Sequence, residues 1–280
     1  MPLIELKDFS FKYYGAEQLA LKKINLTINK GEYVVITGPS GCGKTTLCRT
    51  INALVPQFHR GYIAGNVIID GKNTRESTVA DLSSIAGLVF QQPENQLVTL
   101  NVEKEIAFGP ENLGVEPTEI RNRVEELIVL LDLEHLREKH PHEMSGGEQQ
   151  RVAIAATLAL KPKVLVADEP TSNLDPKSAE IILDIISELN RRDMTVVLVE
   201  HRLDLVSKDA SRIILMDKGC IVADGSPRDI LTRDVCQDIG VGVPKATLVY
   251  KRLKEHGIDL HQVPLTGDEL AEYVKEVAPH

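Results

Sequence analysis

Two kinds of apolar pattern alternate along the chain. In residues 3–9 and 24–28 apolar and polar positions alternate, which is typical of half-exposed β-strands, and the second stretch runs into the turn Asn29-Lys30-Gly31. Residues 63–69 form another predicted strand, closed by the tight turn Asp70-Gly71. The N-terminal part therefore favours strands that bury only one face.

Uninterrupted apolar runs predict a second group of strands, which are buried on both faces. These runs cover residues 33–36, 87–90, 164–167 and 195–199, and residues 213–216 and 221–223 resemble a hairpin around Asp217-Lys218-Gly219. Buried parallel strands of α/β proteins bind ligands at their carboxyl ends. Polar residues that follow these runs are therefore the first candidates for chemistry.

Between residues 93 and 160 the pattern becomes helical. After Pro117, apolar residues recur at helical spacing through Leu131, and we expect Thr118 to cap that helix. Since this block separates two buried strands, we predict an inserted helical subdomain. From Ser226, which begins a short helix, the core pattern weakens into a tail of about fifty residues that carries the capping box Thr266 to Glu269.

Composition narrows the function classes. The chain has 280 residues, a formal net charge of -9 and a pI near 5.4, which argues against nonspecific nucleic-acid binding as its main role. Its four cysteines lack metal-binding spacing and favour reduced cytosolic thiols. No apolar run approaches the ~20 residues that span a bilayer, and the N-terminus does not resemble a signal peptide. Any membrane role must therefore depend on a partner.

The first chemical motif follows the run at residues 33–36 and precedes a helix predicted from about Lys44 to Leu54. It fits the pattern G-x-x-x-x-G-K-[ST] of phosphate-binding loops. Its residues are Gly38, Pro39, Ser40, Gly41, Cys42, Gly43, Lys44 and Thr45. Backbone N–H groups and the helix N-terminus would hold phosphates, Lys44 would reach the outer ones, and Thr45 would bind Mg²⁺. This context favours a nucleoside triphosphate site over a Gly-rich turn with a surface lysine.

Polar residues follow three other buried strands. Asp168 and Glu169 suit a Mg²⁺ ligand and a base for the attacking water, although an acidic surface pair is the alternative. Gln91 can orient water or contact Mg²⁺. His201 can bond a terminal phosphate, although a lone histidine is usually structural.

Two further segments are weaker candidates. Ser145 begins an alanine-rich helix, and Gly146 and Gly147 bare backbone N–H groups there, so the turn is either an anion site or an ordinary capped helix. Asp175 caps the next predicted helix, with Pro176 at its first position. Tyr13, ahead of the phosphate loop, either stacks on a base or is simply packed.

Together these segments resemble the ATP-binding subunits of ATP-binding-cassette (ABC) transporters, in family order and over nearly the whole chain to about residue 230. The resemblance implies an α/β fold with a P-loop NTPase core, a mixed sheet flanked by helices, an antiparallel β subdomain, an inserted helical subdomain and a small C-terminal tail domain. It implies an ATPase domain over residues 1–230, with its helical subdomain at about 93–160, and a helical tail over residues 231–280. ATP and Mg²⁺ are the implied cofactors.

The resemblance also assigns roles to the site residues. It identifies Tyr13 as the adenine-stacking residue, Gly38 to Thr46 as the Walker A loop, Gln91 as the Q-loop glutamine, Ser145 to Glu148 as the signature motif, Asp168 as the Walker B aspartate, Glu169 as the catalytic glutamate, Ser172 to Asp175 as the D-loop and His201 as the switch histidine. The signature departs from the usual Leu-Ser-Gly-Gly-Gln at Met144 and Glu148. In this family the signature of one subunit faces the phosphate loop of another, so the site implies a dimer.

A finer resemblance is to the energy-coupling-factor importers of vitamins and transition-metal ions. It is carried by residues 90–97, residues 107–112, the segment Glu200-His201-Arg202-Leu203 and the tail around Pro264-Leu265-Thr266. It implies a second ATPase subunit, identical or paralogous, a transmembrane coupling protein and a substrate-binding membrane protein. It also implies a cytoplasmic location on the inner face of the cell membrane and a tail that helps to hold the two ATPase subunits together.

Two alternatives stay open. One is the ATPase of a conventional ABC importer or exporter. The other is a soluble ABC ATPase of DNA repair or translation, but repair members carry long coiled-coil insertions and ribosomal members usually carry two cassettes. This acidic chain has neither feature, and no nucleic-acid partner is expected.

Overall fold

Two β-sheets organise the protein, whose computed structural model describes residues 2–277. The first sheet is antiparallel, with the strand order β2-β1-β4-β5. Its strands are β1 (Pro2–Tyr13), β2 (Leu21–Asn29), β4 (Gly61–Ile69) and β5 (Lys72–Asn73). This sheet is the predicted antiparallel β subdomain.

The second sheet has six strands in the order β10-β9-β3-β8-β7-β6, of which only β10 is antiparallel to its neighbour. Its strands are β3 (Tyr33–Thr37), β6 (Ala86–Val89), β7 (Val164–Asp168), β8 (Thr195–Val199), β9 (Arg212–Asp217) and β10 (Cys220–Gly225). β3, β7 and β8 are buried at every residue, as their apolar runs predict. The mixed sheet of the predicted fold class is confirmed.

Twelve α-helices surround the sheets in the described part of the chain. They are α1 (Lys44–Ile51), α2 (Leu54–Gln57), α3 (Val79–Ser83), α4 (Val102–Asn112), α5 (Pro117–Leu130), α6 (Gly146–Leu158), α7 (Pro176–Arg191), α8 (Leu203–Val206), α9 (Pro227–Ile230), α10 (Val235–Asp238), α11 (Lys245–Glu255) and α12 (Gly267–Val277). Helices α4 to α6, with short 3₁₀ turns, lie between β6 and β7. They form the inserted helical subdomain.

Two details of the helix predictions are wrong. Helix α1 ends at Ile51 and not at Leu54, because Ala53 adopts a left-handed backbone with φ of 63°. Helix α5 begins at Pro117 with Glu116 in the capping position, so Thr118 lies inside the first turn and does not cap the helix. Proline at the first helical position fixes φ and lacks only an N–H that would be unpaired there.

Two hydrophobic clusters occupy opposite faces of the six-stranded sheet. Alternate residues of β3 divide between them, with Val34 and Ile36 in one cluster and Tyr33 and Val35 in the other. The first cluster joins this sheet to the antiparallel sheet and α1, whereas the second joins it to the helical subdomain and α7. The strand that leads into the phosphate loop is therefore fixed from both sides.

The tail packs onto the second cluster through Leu231, Cys236, Val241 and Leu265. Arg228 also holds it, because its guanidinium donates to Glu269 Oε1 at 2.8 Å and to Oε2 at 3.1 Å. No residue of α12 is buried. Within residues 2–277, no helix combines the length and apolar character that crossing a membrane requires.

Candidate active site

The phosphate loop joins the end of β3 to the start of α1, and two of its glycines are required by close contacts. A side chain at Gly38, with φ of 151°, would place its Cβ 2.1 Å from the carbonyl oxygen of Met216. At Gly43, with φ of 111°, the Cβ would lie 2.5 Å from the carbonyl oxygen of Ala20. Only glycine fits this space and these dihedral angles. The loop is therefore shaped by its neighbours as well as by its own sequence.

Lys44 lies inside this loop and is buried. Its Nζ donates hydrogen bonds to the carbonyl oxygens of Gly38 at 2.9 Å and Pro39 at 3.0 Å, and it lies 4.0 Å from Glu169 Oε1. Because burial excludes water from this ammonium group, an anion that reaches it is attracted more strongly than it would be in solvent. This arrangement suits the predicted contact of Lys44 with outer phosphates.

Thr45 and Asp168 meet at the carboxyl end of the sheet. The Thr45 hydroxyl donates to Asp168 Oδ1 at 3.2 Å, although the two residues are far apart in sequence. Burial raises the pKa of Asp168 above its ordinary value, and the hydrogen bond from Thr45 opposes that shift. A buried carboxylate beside a hydroxyl is an oxygen-rich pair that a divalent cation would stabilise.

Glu169 connects the ends of three parallel strands. Its Oε2 accepts a hydrogen bond from Gln91 Nε2 at 3.1 Å, and its Oε1 lies 2.9 Å from His201 Nε2. Its backbone is in the left-handed region, with φ of 49°. The structure thus brings together four predicted site residues, since Lys44, Gln91 and His201 all surround this carboxylate.

Gln91 follows β6, and two glutamines to which the sequence assigned no role fix the strand end before it. Gln96 Oε1 accepts from the backbone N–H of Phe90 at 3.1 Å, and its Nε2 donates to Thr157 Oγ1 at 3.0 Å. The buried Gln150 donates to the carbonyl oxygen of Phe90 at 3.4 Å. These bonds connect the position of Gln91 to α6 of the helical subdomain. Gln96 belongs to the segment 90–97 that carries the finer resemblance, but nothing in the sequence indicates that it binds the strand end and α6.

Tyr13 lies beside the phosphate loop and is half-buried. Its hydroxyl is 3.2 Å from Thr46 Oγ1, and its ring meets Phe11 edge to face with the ring centroids 4.8 Å apart. His59 packs against another edge of the ring at 6.0 Å, and burial of the imidazole lowers its pKa. The structure therefore places Tyr13 beside Thr46 of the phosphate loop, and its contact with a base stays a prediction.

The turn at the start of α6 is a capping box. The Ser145 hydroxyl accepts the N–H of Glu148 at 3.4 Å, and the Glu148 carboxylate accepts the N–H of Ser145 at 2.7 Å. Gly147 is required for packing, since its Cβ would lie 2.9 Å from that of Ser178 in α7. Asp175 in turn caps α7 by accepting the N–H of Ser178 at 3.0 Å. The two helix starts therefore lie against each other.

The signature turn is separate from the cluster around Glu169. Among residues 2–277, no hydrogen bond or ion pair joins Ser145, Gly146 or Gly147 to that cluster, and a side chain at Gly146 would instead touch Leu174 at 3.3 Å. Anion binding by the N–H groups at the start of α6 stays a prediction, of the kind that helix N-termini allow. A single chain thus carries two predicted half-sites that do not meet.

The profile of the ABC transporter family matches residues 21–172. The chain belongs to the ABC transporter family. It is an ABC ATPase, a cassette that binds and hydrolyses ATP, and the family resemblance seen in its motifs is confirmed.

Relatives of this ABC ATPase match it over almost its full length. An ABC transporter ATP-binding protein of Pyrococcus horikoshii is 45% identical over 277 residues, which cover 98% of this chain and 97% of the relative. The energy-coupling factor transporter ATP-binding protein EcfA1 of Clostridium novyi is 40% identical over 274 residues, which cover 96% of each chain.

Solved structures confirm the fold. The structure of cbiO1 from Clostridium perfringens, described as part of the ABC transporter complex cbiONQ, has a TM-score of 0.74 and 30% identity and covers 91% of this chain and 98% of its own. A dimeric ATP-binding cassette in a post-hydrolysis state with ADP and Pi has a TM-score of 0.70 and 33% identity, covering 80% of this chain and 99% of its own.

Proposed function

We propose that this ABC ATPase powers the import of a small solute, a vitamin or a transition-metal ion, through an energy-coupling-factor complex in the membrane. The similarity to EcfA1 over 96% of both chains carries the proposal, because it includes the tail as well as the cassette. The structural similarity to cbiO1 supports it. On this proposal the protein lies in the cytoplasm, on the inner face of the cell membrane.

An apolar groove beside Gln91 supports a partner in the membrane. It lies between the six-stranded sheet and the helical subdomain, and its apolar lining includes Leu54, Leu88, Phe90, Phe108, Ala156 and Leu160. Phe108 is 46% exposed at its rim. A helix from the transmembrane coupling protein would bury this lining, and Phe90 would connect it to Gln91 in the next position of the chain.

The residues around Glu169 suit hydrolysis. Glu169 would accept a proton from the attacking water, His201 would hold the terminal phosphate together with Lys44, and Gln91 would orient the water. The oxygen donors of Thr45, Asp168 and Gln91 would hold Mg²⁺, which neutralises charge on the triphosphate when bound. Tyr13 would stack on the adenine, and the backbone of residues 38–46 would hold the phosphates.

The second half-site would come from another ATPase subunit. The N-terminus of α6 would add its N–H groups to the triphosphate held by a partner's phosphate loop, with Asp175 beside it. The tail supports such a dimer, because apolar side chains remain exposed on it. These are Leu248, Val249, Ile258 and Val274.

Purification from the host membrane tests this proposal. We expect the tagged protein to retain a transmembrane coupling protein and a small substrate-binding membrane protein. The ligand of the substrate-binding protein would identify the solute. Phe108→Asp should lose both, whereas Val129→Asp, at an apolar position that is 77% exposed elsewhere, should retain them. Recovery with a conventional permease would move the protein to another importer class. Recovery only from the soluble fraction with DNA or ribosomes would contradict transport.

A further inference from the structure

Glu200 is a buried carboxylate at the end of β8, one position before His201. Only 4% of the residue is exposed, and its backbone N–H continues the sheet by donating to the carbonyl oxygen of Ile36 at 3.2 Å. Buried carboxylates are rare unless they are paired and hydrogen-bonded. Glu200 has no part in the proposed binding or hydrolysis of ATP, and its contacts indicate another role.

One carboxylate oxygen holds the turn that carries His201. Glu200 Oε1 accepts hydrogen bonds from the backbone N–H of His201 at 2.8 Å and of Arg202 at 3.0 Å. Two N–H groups that converge on one charged acceptor fix the backbone of the turn more firmly than neutral bonds would. The direction in which the His201 side chain leaves the strand is therefore set by Glu200.

The other oxygen holds the segment that follows Glu169. Glu200 Oε2 accepts a hydrogen bond from the Thr171 hydroxyl. Arg202 completes a ring, because its Nη2 donates to the carbonyl oxygen of Thr171 at 3.2 Å and its Nε lies 3.9 Å from Glu200 Oε1. Ser172 then donates its backbone N–H to the carbonyl oxygen of Glu169 at 3.2 Å. Two loops that meet at the 2.9 Å contact between Glu169 and His201 are thus also joined behind it.

We propose that Glu200 is a positioning residue, which holds His201 and residues 170–175 at a fixed distance and angle from Glu169. The inference rests on the proposed hydrolytic roles of Glu169 and His201. Because Asp175 lies at the end of the same segment, Glu200 also connects the phosphate site of one subunit to the surface that would face the other. Its effect is on the rate of hydrolysis rather than on the affinity for ATP.

A pair of substitutions of similar size tests the proposal. Glu200→Met fills the same space without an acceptor. Glu200→Gln keeps a carbonyl oxygen that accepts from the two N–H groups, and its amide N–H can donate to the Thr171 hydroxyl oxygen. A small displacement of a reacting group costs about 10²-fold in rate. We expect kcat for ATP hydrolysis to fall about tenfold to hundredfold in Glu200→Met, with KM within about threefold of the wild type. Glu200→Gln should recover most of the lost rate.

A second pair covers the case in which Glu200→Met fails to fold. Thr171→Val removes the hydroxyl at constant shape, and Thr171→Ser retains it. We expect Thr171→Val to lower kcat with little change in KM, and Thr171→Ser to approach the wild type. Nucleotide affinity and melting temperature are measured for all four proteins. If Glu200→Met and Thr171→Val lower the nucleotide affinity and the melting temperature but leave kcat at saturating ATP unchanged, Glu200 contributes only to stability and the proposal is overturned.

Non-additivity provides the decisive measurement. If Glu200 acts through His201, then Glu200→Met should lower kcat much less in a His201→Ala protein than in the wild type. An undiminished effect in that background would contradict positioning of His201. Glu169→Gln is measured in parallel to separate the two claims. If Glu169→Gln hydrolyses ATP normally, the proposed function of the site is wrong. If Glu169→Gln is impaired but Glu200→Met and Thr171→Val hydrolyse ATP normally, only the inference about Glu200 is wrong.

Discussion

Glu169→Gln is the substitution whose outcome the structure defines most closely. The carboxylate has three polar neighbours, namely Gln91 at 3.1 Å, His201 at 2.9 Å and Lys44 at 4.0 Å. Glutamine has the same shape and retains one acceptor, and the amide of Gln91 and the imidazole of His201 can each reverse donor and acceptor roles. We therefore expect the free energy of unfolding to change by no more than about 1 kcal/mol.

The effect on catalysis should be much larger. An amide cannot accept a proton from water, and the loss of a general base lowers rates by about 10²–10⁴-fold, which corresponds to about 2.7–5.4 kcal/mol of activation free energy. The substitution also removes a negative charge from the vicinity of the triphosphate. ATP affinity should therefore be retained or increased, and the dimer should accumulate with ATP bound.

In this experiment kcat is measured from the rate of phosphate release. Light scattering in the presence of ATP and Mg²⁺ measures the molar mass of the protein and so distinguishes monomer from dimer. Glu76→Gln is the matched control, because Glu76 is exposed in the turn after β5. It should behave as the wild type in both assays. A Glu169→Gln protein that retained more than about a third of the wild-type kcat would refute a general-base role. A protein that lost both ATP binding and turnover would show that the carboxylate shapes the site instead.

Three further predictions concern the rest of the molecule. Deletion of the residues after 232 should weaken dimerisation in the presence of ATP, as measured by sedimentation, and an unchanged dimer would exclude the tail from the interface. Ile128→Ala, at a fully buried position of the helical subdomain, should lower the free energy of unfolding by about 2–5 kcal/mol in urea titrations. Hydrogen bonds from the Ser145 backbone N–H and hydroxyl lower the pKa of Glu148. The stability that comes from the charged carboxylate is therefore complete above the ordinary pKa of glutamate and is lost as the pH falls through the lowered pKa. Glu148→Ala should therefore melt below the wild type at pH 7, and the difference in melting temperature should shrink as the pH falls through that range.

The strand ends that carry chemistry were predictable from sequence. An apolar run followed by Asp168 and Glu169 predicts carboxylates at a ligand site, because buried parallel strands end at the edge of the sheet where ligands bind. The motif from Gly38 to Thr45 carries its own mechanism, and the order of the motifs identifies the family. The features that were predicted well from the sequence are thus those that depend on residues close together along the chain.

Contacts between distant segments were not predictable. Glu269 illustrates this, since a capping box from Thr266 was expected and only half of it forms. The Glu269 N–H does donate to Thr266 Oγ1 at 3.2 Å, but its carboxylate binds Arg228 and the N–H of Leu265 instead. Gln96 and Glu200 lie in segments that carry the finer resemblance, but their contacts were not predicted for the same reason, because their partners lie on other elements of the fold.

The position of β3 between two hydrophobic clusters has a consequence for hydrogen exchange. Its residues from Tyr33 to Thr37 are all buried and paired on both edges, so their amides should exchange only when the whole domain opens. Helix α12 buries no residue, and its amides should exchange through local fraying. The nucleotide loop is thus attached to a slowly exchanging strand, whereas α12 should exchange rapidly, so fraying of α12 should leave the frame of the phosphate site intact.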